Sequence, residues 1–262
     1  MALVKSETVF LSRVAYSTSS VIFPGQKESG DLYVIKELPE KVVIGVVDGM
    51  GHGHEAAIAA KLAVETLEAN AGLSCINLVK LCHEKLKTTR GVVMALASIN
   101  YTDDTVTWLS IGNVEGILLR ADSEVKPSYE SIFICRGVLG YRISQLYATI
   151  LPISKDDLLI LSTDGISNDY LLHLAADSQH NILQPTHRDR IKNDFENEPL
   201  IYPDGYSNSK NTIRSDDPFL FQKRAMNISP QKVTEFISNH FVKGSDDALV
   251  TVIKYLGKEQ AE

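Results

Sequence analysis

Two apolar runs, Val42–Val47 and Leu158–Ser162, each lead into an Asp-Gly pair: Asp48-Gly49 directly, and Asp164-Gly165 after Thr163. The first run is rich in β-branched residues and has no polar alternation, which predicts an interior strand covered on both faces. A chain built on such strands must bring helices or a second sheet to both sides of them. It must also set a carboxylate at the end of each strand, where a rigid element meets a turn. These two consequences, layers and strand-end carboxylates, organise the rest of the sequence.

The remaining patterns supply the layers. Val9–Ala15 reads as a strand, and Phe23 to Gly30 as a loop from its Pro24, Gly25 and Gly30. Leu32–Lys36 forms a hairpin with Val42–Val47. From His54 to Asn70 the period changes: Ala57, Ala60, Val64 and Leu67 recur at helical spacing. Ser74 can cap a second helix that runs to about Lys87. Strands return at Val92–Asn100, Thr105–Ile111, Gly116–Arg120, Ile132–Ile134, Tyr147–Leu151 and Leu158–Ser162. A helix is expected over Ile166–Ala176, another over Ser229–His240 with Pro230 in its first turn, and a last strand over Ala248–Tyr255. Many strands with helices in separate blocks predict an α+β fold, an antiparallel β-sandwich flanked by helices. Residues 1–262 are read as one domain. Asp177 to Asp217 is polar, contains Pro185, Pro199 and Pro203, and shows no sustained period, so 177–217 is expected to be a surface insertion.

Composition narrows the function classes. With 26 Lys and Arg against 33 Asp and Glu, the formal charge is −7, which disfavours a general nucleic-acid binder. No stretch has the roughly 20 apolar residues that cross a bilayer, and the apolar run near the N-terminus is too short for a secretory signal. Cys75, Cys82 and Cys135 lack metal-clip spacing and read as buried thiols. A cytoplasmic setting, without membrane or nucleic-acid partners, is the expectation.

Four acidic sites share the strand-end context. Asp31 opens a strand after Ser29-Gly30, Asp48 and Asp164 close the two apolar runs, and Asp246-Asp247 precedes the last strand. Asp-Gly is a common turn dipeptide, and each site alone reads as a turn. Together they offer hard oxygen ligands suited to Mg²⁺ or Mn²⁺ rather than zinc.

As an ordered set, Ser29-Gly30-Asp31, Asp48-Gly49-Met50-Gly51-His52-Gly53, Thr163-Asp164-Gly165 and Asp246-Asp247 resemble the metal-dependent type 2C serine/threonine protein phosphatases. The bacterial SpoIIE-like branch is the better match. Leu109 to Asn113 resembles that branch's Gly-Asn turn, and Asp156 to Leu161 its strand into Thr-Asp-Gly. Pro24-Gly25-Gln26 ahead of Ser29-Gly30-Asp31 is most similar to the RsbX-type stress-signalling phosphatases. The resemblance implies α-β-β-α layers and a centre of two divalent cations, Mn²⁺ or Mg²⁺. Asp48 would bridge both ions, with Asp164 and Asp246 on one and Asp31 and the Gly49 carbonyl on the other; Asp48, Asp164 and Asp246 would be the catalytic set. Asp247 would lend support behind the ligands. The implied reaction is direct attack of water on a phosphoserine or phosphothreonine ester, and the implied partner is a phosphorylated signalling protein such as a stressosome-type scaffold. The alternative is a catalytically inactive relative that keeps the fold and only binds. Some eukaryotic relatives grip phosphate with an N-terminal arginine; Arg13 is the only arginine here placed for that, and it is not assigned the role.

Three other signals carry less. His52-x-His54 is read as loop-shaping, the glycines at 49, 51 and 53 do not match Gly-x-Gly-x-x-Gly, and six residues separate Cys135 from Arg142 where cysteine phosphatases need five.

Overall fold

Alternation along the interior strands sets the layers of the computed structural model, which describes residues 6–122, 124–171 and 229–258. One sheet has the order β1 (Val9–Phe10), β2 (Val14–Val21), β14 (Ala248–Tyr255), β13 (Leu158–Ser162), β7 (Glu115–Leu119), β8 (Tyr129–Ser131). The other has the order β12 (Thr149–Pro152), β6 (Thr105–Ile111), β5 (Val92–Asn100), β4 (Lys41–Gly49), β3 (Asp31–Leu38), with β9 (Ile134–Cys135) parallel to β6. A small hairpin, β10 (Gly137–Val138) and β11 (Arg142–Ile143), stands apart from both.

Within β4, Val42, Ile44 and Val46 enter the core between the sheets, beside Trp108 of β6 and Leu159 and Leu161 of β13. Val43 and Val47 face the other way, onto α1 (His54–Ala69) and α2 (Cys75–Lys85). In the first sheet, Leu158, Ile160, Val250 and Val252 face α3 (Pro230–His240) through Val233 and Ile237. A period of two on a strand covered on both sides thus generates the α-β-β-α order. α1 reaches β4 through small residues: Ala56, Ala59, Ala60 and Ala63 are all fully buried.

Most expected elements fall where the pattern put them, including the Ser74 cap, whose Oγ accepts the Asn77 N–H at 3.4 Å. Four readings are corrected. Val9–Ala15 is not continuous: β1 and β2 are an antiparallel hairpin that turns at Leu11–Arg13, where Leu11 N donates to Val14 O. The strand expected at Ile132–Ile134 falls mostly between β8 and β9: only Ile134 is in a strand, and Ile132 donates its N–H to Gly116 O of β7. The strand expected at Tyr147–Leu151 begins at Thr149, since only Thr149–Pro152 find partners on β6. The helix expected over Ile166–Ala176 does not begin at Ile166, which bridges Val242 while Ser167 N donates to Phe241 O; helical backbone begins at Tyr170, and 172–176 lie outside the described residues. The expected insertion at 177–217 lies outside the described residues.

Candidate metal centre

Antiparallel pairing brings the strand-end carboxylates to one end of the sandwich. In the β3–β4 ladder Asp31 lies directly opposite Asp48, a like-charged pair that costs stability wherever both are ionised. Asp164 follows β13, and Asp246 and Asp247 precede β14, the neighbour of β13 in the other sheet. Cross-sheet hydrogen bonds join the two halves. Thr163 Oγ1 donates to Asp31 Oδ2 at 2.6 Å and accepts from Leu249 N at 2.9 Å. Asp247, 3% exposed, accepts Phe23 N and Gly30 N on its two oxygens, each at 2.7 Å. That grip fixes the end of the Phe23–Gly30 loop, and with it the start of β3.

Close backbone packing needs glycine at two points. A methyl group on Gly49 would lie 2.2 Å from Ala56 O, and one on Gly165 would lie 2.0 Å from Asp247 O. Any side chain at either position would push α1 from β4, or the Asp164 turn from Asp247. Each Asp-Gly pair is therefore a packing requirement as well as a turn.

The electrostatics are one-sided. Burial raises the Asp48 carboxyl to about 9, and Asp31, Asp164, Asp246 and Asp247 push it the same way. Burial raises Asp31 to about 8; the Thr163 hydrogen bond works against this, while Asp247, Asp164 and Asp246 add to it. Asp164 sits at the open mouth, yet partial desolvation and then Asp246 raise it, with Lys243 and Asn113 opposing. Lys243 Nζ donates to the Asp164 carbonyl at 2.7 Å. Five carboxylates therefore act on one another with Lys243 beside them. An all-oxygen donor set with such an excess of negative charge fits hard divalent cations. Among the described residues no three His, Cys, Asp or Glu side chains close into a metal cage, so the fit rests on the chemistry and gathering of the donors rather than on a finished coordination sphere.

Two residues without an assigned role in the sequence pattern act here. Asn113 Nδ2 donates to Asp164 Oδ2 at 2.7 Å, and Thr163 braces Asp31. Both stand in motifs visible in the sequence, the Gly-Asn turn and Thr-Asp-Gly, but a motif shows spacing and not which atom meets which. His52 and His54 shape the loop as expected: His52 Nδ1 lies 3.3 Å from Gln26 Nε2, and His54 Nδ1 lies 3.3 Å from Glu28 Oε1. Arg13 lies at the other end of the sandwich, donating to Tyr101 O at 2.8 Å. A cleft of about 310 Å³ beside Asp164 is lined by Asn113, Glu115, Ser167, Asn168, Asp169 and Lys243.

Residues 39–191, more than half of the chain, match the family Stage II sporulation protein E (SpoIIE). The chain belongs to the SpoIIE family. It is 25% identical over 145 residues to the phosphoserine phosphatase RsbX of Bacillus subtilis (strain 168), an alignment covering 55% of this chain and 70% of RsbX. A crystal structure of RsbX in complex with magnesium superposes with a TM-score of 0.66 at 16% identity, covering 95% of this chain and 99% of that one. A structure from work on the bacterial stressosome, as a modular system adapted to control secondary messenger signalling, gives a TM-score of 0.65 at 22% identity and covers 92% and 98% of the two chains. At these identities the structures show a shared fold, the type 2C phosphatase sandwich expected from the sequence.

Proposed function

We propose that this SpoIIE-family phosphatase hydrolyses phosphoserine or phosphothreonine on a cytoplasmic signalling protein, using two divalent cations, Mg²⁺ or Mn²⁺. The observation that carries the reading is the meeting of Asp31 and Asp48 from one sheet with Asp164, Asp246 and Asp247 from the other, beside Lys243. Asp48, Asp164 and Asp246, with Asp31 and the Gly49 carbonyl, would hold the ions, Asp48 as the ligand shared between them. When bound, such ions supply an activated water and neutralise the phosphoryl oxygens.

The chain's own groups do the positioning. Asp247 and Thr163 hold Asp31 in register with Asp48, and Asn113 orients Asp164 through its Oδ2. Gly49 packed on Ala56 fixes the backbone that presents its carbonyl. The open cleft beside Asp164 leaves room for a protein segment bearing the phosphate. Kinship with RsbX and likeness to the stressosome-related structure support a stress-signalling phosphoprotein as substrate. Buried, unbridged Cys75, Cys82 and Cys135 fit a reducing compartment, and residues 177–217 are assigned as an insertion within the one phosphatase domain.

The test pairs catalysis with metal binding. Aryl phosphate hydrolysis should require Mn²⁺ or Mg²⁺, and calorimetry should show two bound ions in the wild type and impaired binding in Asp48→Asn. Cation binding without turnover of any phosphoester would favour the inactive binding module instead.

A further inference from the structure

One side of the rim of the acidic site carries the opposite charge. Residues 85–91 hold Lys85, Lys87 and Arg90 with no carboxylate, and residues 131–148 hold Arg136 and Arg142 with none, in a chain of net charge −7. The structure ties these segments together beside the metal-centre turn. Met50 N donates to Gly91 O at 3.0 Å, and a methyl group on Gly51 would touch Arg90 Nη1 at 3.1 Å, so the guanidinium lies against the turn that follows Asp48. Val92 and Leu139 exchange backbone hydrogen bonds at 3.1 and 2.8 Å, and Gly140 N donates to His83 Nδ1 at 3.1 Å, which docks the β10–β11 hairpin on this segment. Tyr141 at the hairpin tip is 85% exposed. Arg90 and Arg142 are both exposed, and their side chains make no ion pair or hydrogen bond with the described residues.

We infer that Arg90, Arg142 and Tyr141 form a docking surface for an acidic segment flanking the phosphoresidue of the protein substrate. The inference rests on the phosphatase reading and adds to it the sign of charge beside the phosphosite. Two arginines without partners among the described residues, next to an exposed tyrosine, have the composition of binding hot spots. Arg90 lies against the turn after Asp48, and the hairpin that carries Tyr141 and Arg142 docks on the strand that follows Arg90, so the three flank the approach to a phosphoserine bound at the carboxylates. Opposite charge across such a surface selects partners and speeds encounter. The bare carboxylate end would repel an acidic partner, and a basic rim reverses that repulsion locally.

The full chain is assayed with Mn²⁺ on two phosphoserine peptides of equal length, one flanked by Asp and Glu and the other by Lys and Arg. Anisotropy of labelled phosphonate analogues of both peptides reads binding without turnover. The expected kcat/KM ratio of acidic to basic peptide is about tenfold at low salt and shrinks as salt screens it. Arg90→Glu with Arg142→Glu should bring that ratio to one or below, and Tyr141→Ala should weaken binding of the acidic analogue severalfold. Because the ratio is internal, a general loss of activity cancels from it. A ratio unchanged in the double variant, or equal affinity of the wild type for both analogues, overturns the docking surface. Failure of the wild type to hydrolyse an aryl phosphate overturns the phosphatase reading, and the anisotropy comparison still decides the surface.

Discussion

The two ends of the sandwich are built from the same parts and treat charge in opposite ways. At the end away from the proposed metal centre, Asp157, Asp104 and Glu37 all have partners. Asp157, 1% exposed, takes Arg120 Nη1 at 3.1 Å, Ala121 N at 2.8 Å and Ser154 N at 3.0 Å. Asp104 meets Lys258 at 2.8 Å and the Tyr255 hydroxyl, and Glu37 accepts from Tyr101, whose ring lies under Arg13. At the other end Asp31 and Asp48 face further carboxylates. Strand β13 shows the contrast at its two ends: Asp157 before it is neutralised, and Asp164 after it joins an acidic cluster. Position at the boundary of one apolar strand does not distinguish the two; the glycine after Asp164 marks that one as a turn, but neither local context shows which carboxylate is neutralised. The difference lies in what the neighbouring strands deliver. At the paired end no buried charge is left uncompensated, whereas the gathered carboxylates at the other end cost stability, a cost that the proposed cation binding would offset.

If that contrast is right, equivalent substitutions should fail in different ways. Asp48→Asn should reduce phosphoester turnover by more than about a hundredfold, a floor set by the roughly 10–100-fold losses typical of groups one step removed from a metal. Its melting temperature without metal should hold or rise, and Asp164→Asn and Asp246→Asn should lose activity likewise. Turnover at wild-type level in any two of the three, with metal supplied, would remove the ligand assignment. Asp157→Ala should do the reverse. It leaves the 6%-exposed Arg120 without its main counter-charge, a change that costs about 3–5 kcal/mol when a buried pair is broken. Urea denaturation should show that loss, with per-molecule activity of the folded fraction preserved. A stable but inactive Asp157→Ala protein would mean the two ends are not separable.

The fold was largely legible because it depends on pattern. The doubly covered strand at Val42–Val47 and the helical period of α1 both follow from spacing, and α1, α2 and α3 stand close to their expected bounds. Elements set by distant partners were not legible. Neither the β10–β11 hairpin nor the bridge from Ile166 to Val242 has a local period, because both are fixed by backbone bonds that local residue type does not encode. The same division holds at the site. Asp31, Asp48, Asp164 and Asp246 stood out as strand-end carboxylates, while the bond from Asn113 to Asp164 spans 51 positions and Thr163 reaches Asp31 across 132. Residue type and spacing mark a ligand; they cannot show which side chain orients it.

Charge at the open end also predicts a pH dependence. Asp31 and Asp48, raised to about 8 and 9 by burial and by the neighbouring carboxylates, hold protons more tightly folded than unfolded. Carboxyls raised in this sense stabilise the folded state fully below their unfolded value near 3.8 and lose that contribution as pH climbs through 8 to 9. The metal-free protein should therefore melt at lower temperature near pH 9 than near pH 6. If divalent cations take the place of the protons, the rise in melting temperature on adding Mg²⁺ or Mn²⁺ should be greater at the higher pH. A metal-induced shift independent of pH would argue that the cations bind away from these two carboxylates.

The smallest effect separates orientation from ligation. Asn113 is an exposed side chain on a turn, and its amide reaches Asp164 Oδ2 at 2.7 Å without belonging to the acidic set. Removing it in Asn113→Ala leaves all the carboxylates in place, so the loss should be about tenfold, at the low end of what a supporting hydrogen bond contributes to a metal site. It should show mainly as a higher metal concentration for half-maximal activity, with kcat at saturating metal close to wild type. Asn113→Asp removes the donor and adds a further negative charge beside Asp164, so it should cost more than alanine at low metal. If alanine instead lowers kcat at saturating metal as far as Asp164→Asn does, Asn113 acts on the reacting phosphate itself. The open end would then contain a polar group that works beside the ligands rather than behind them.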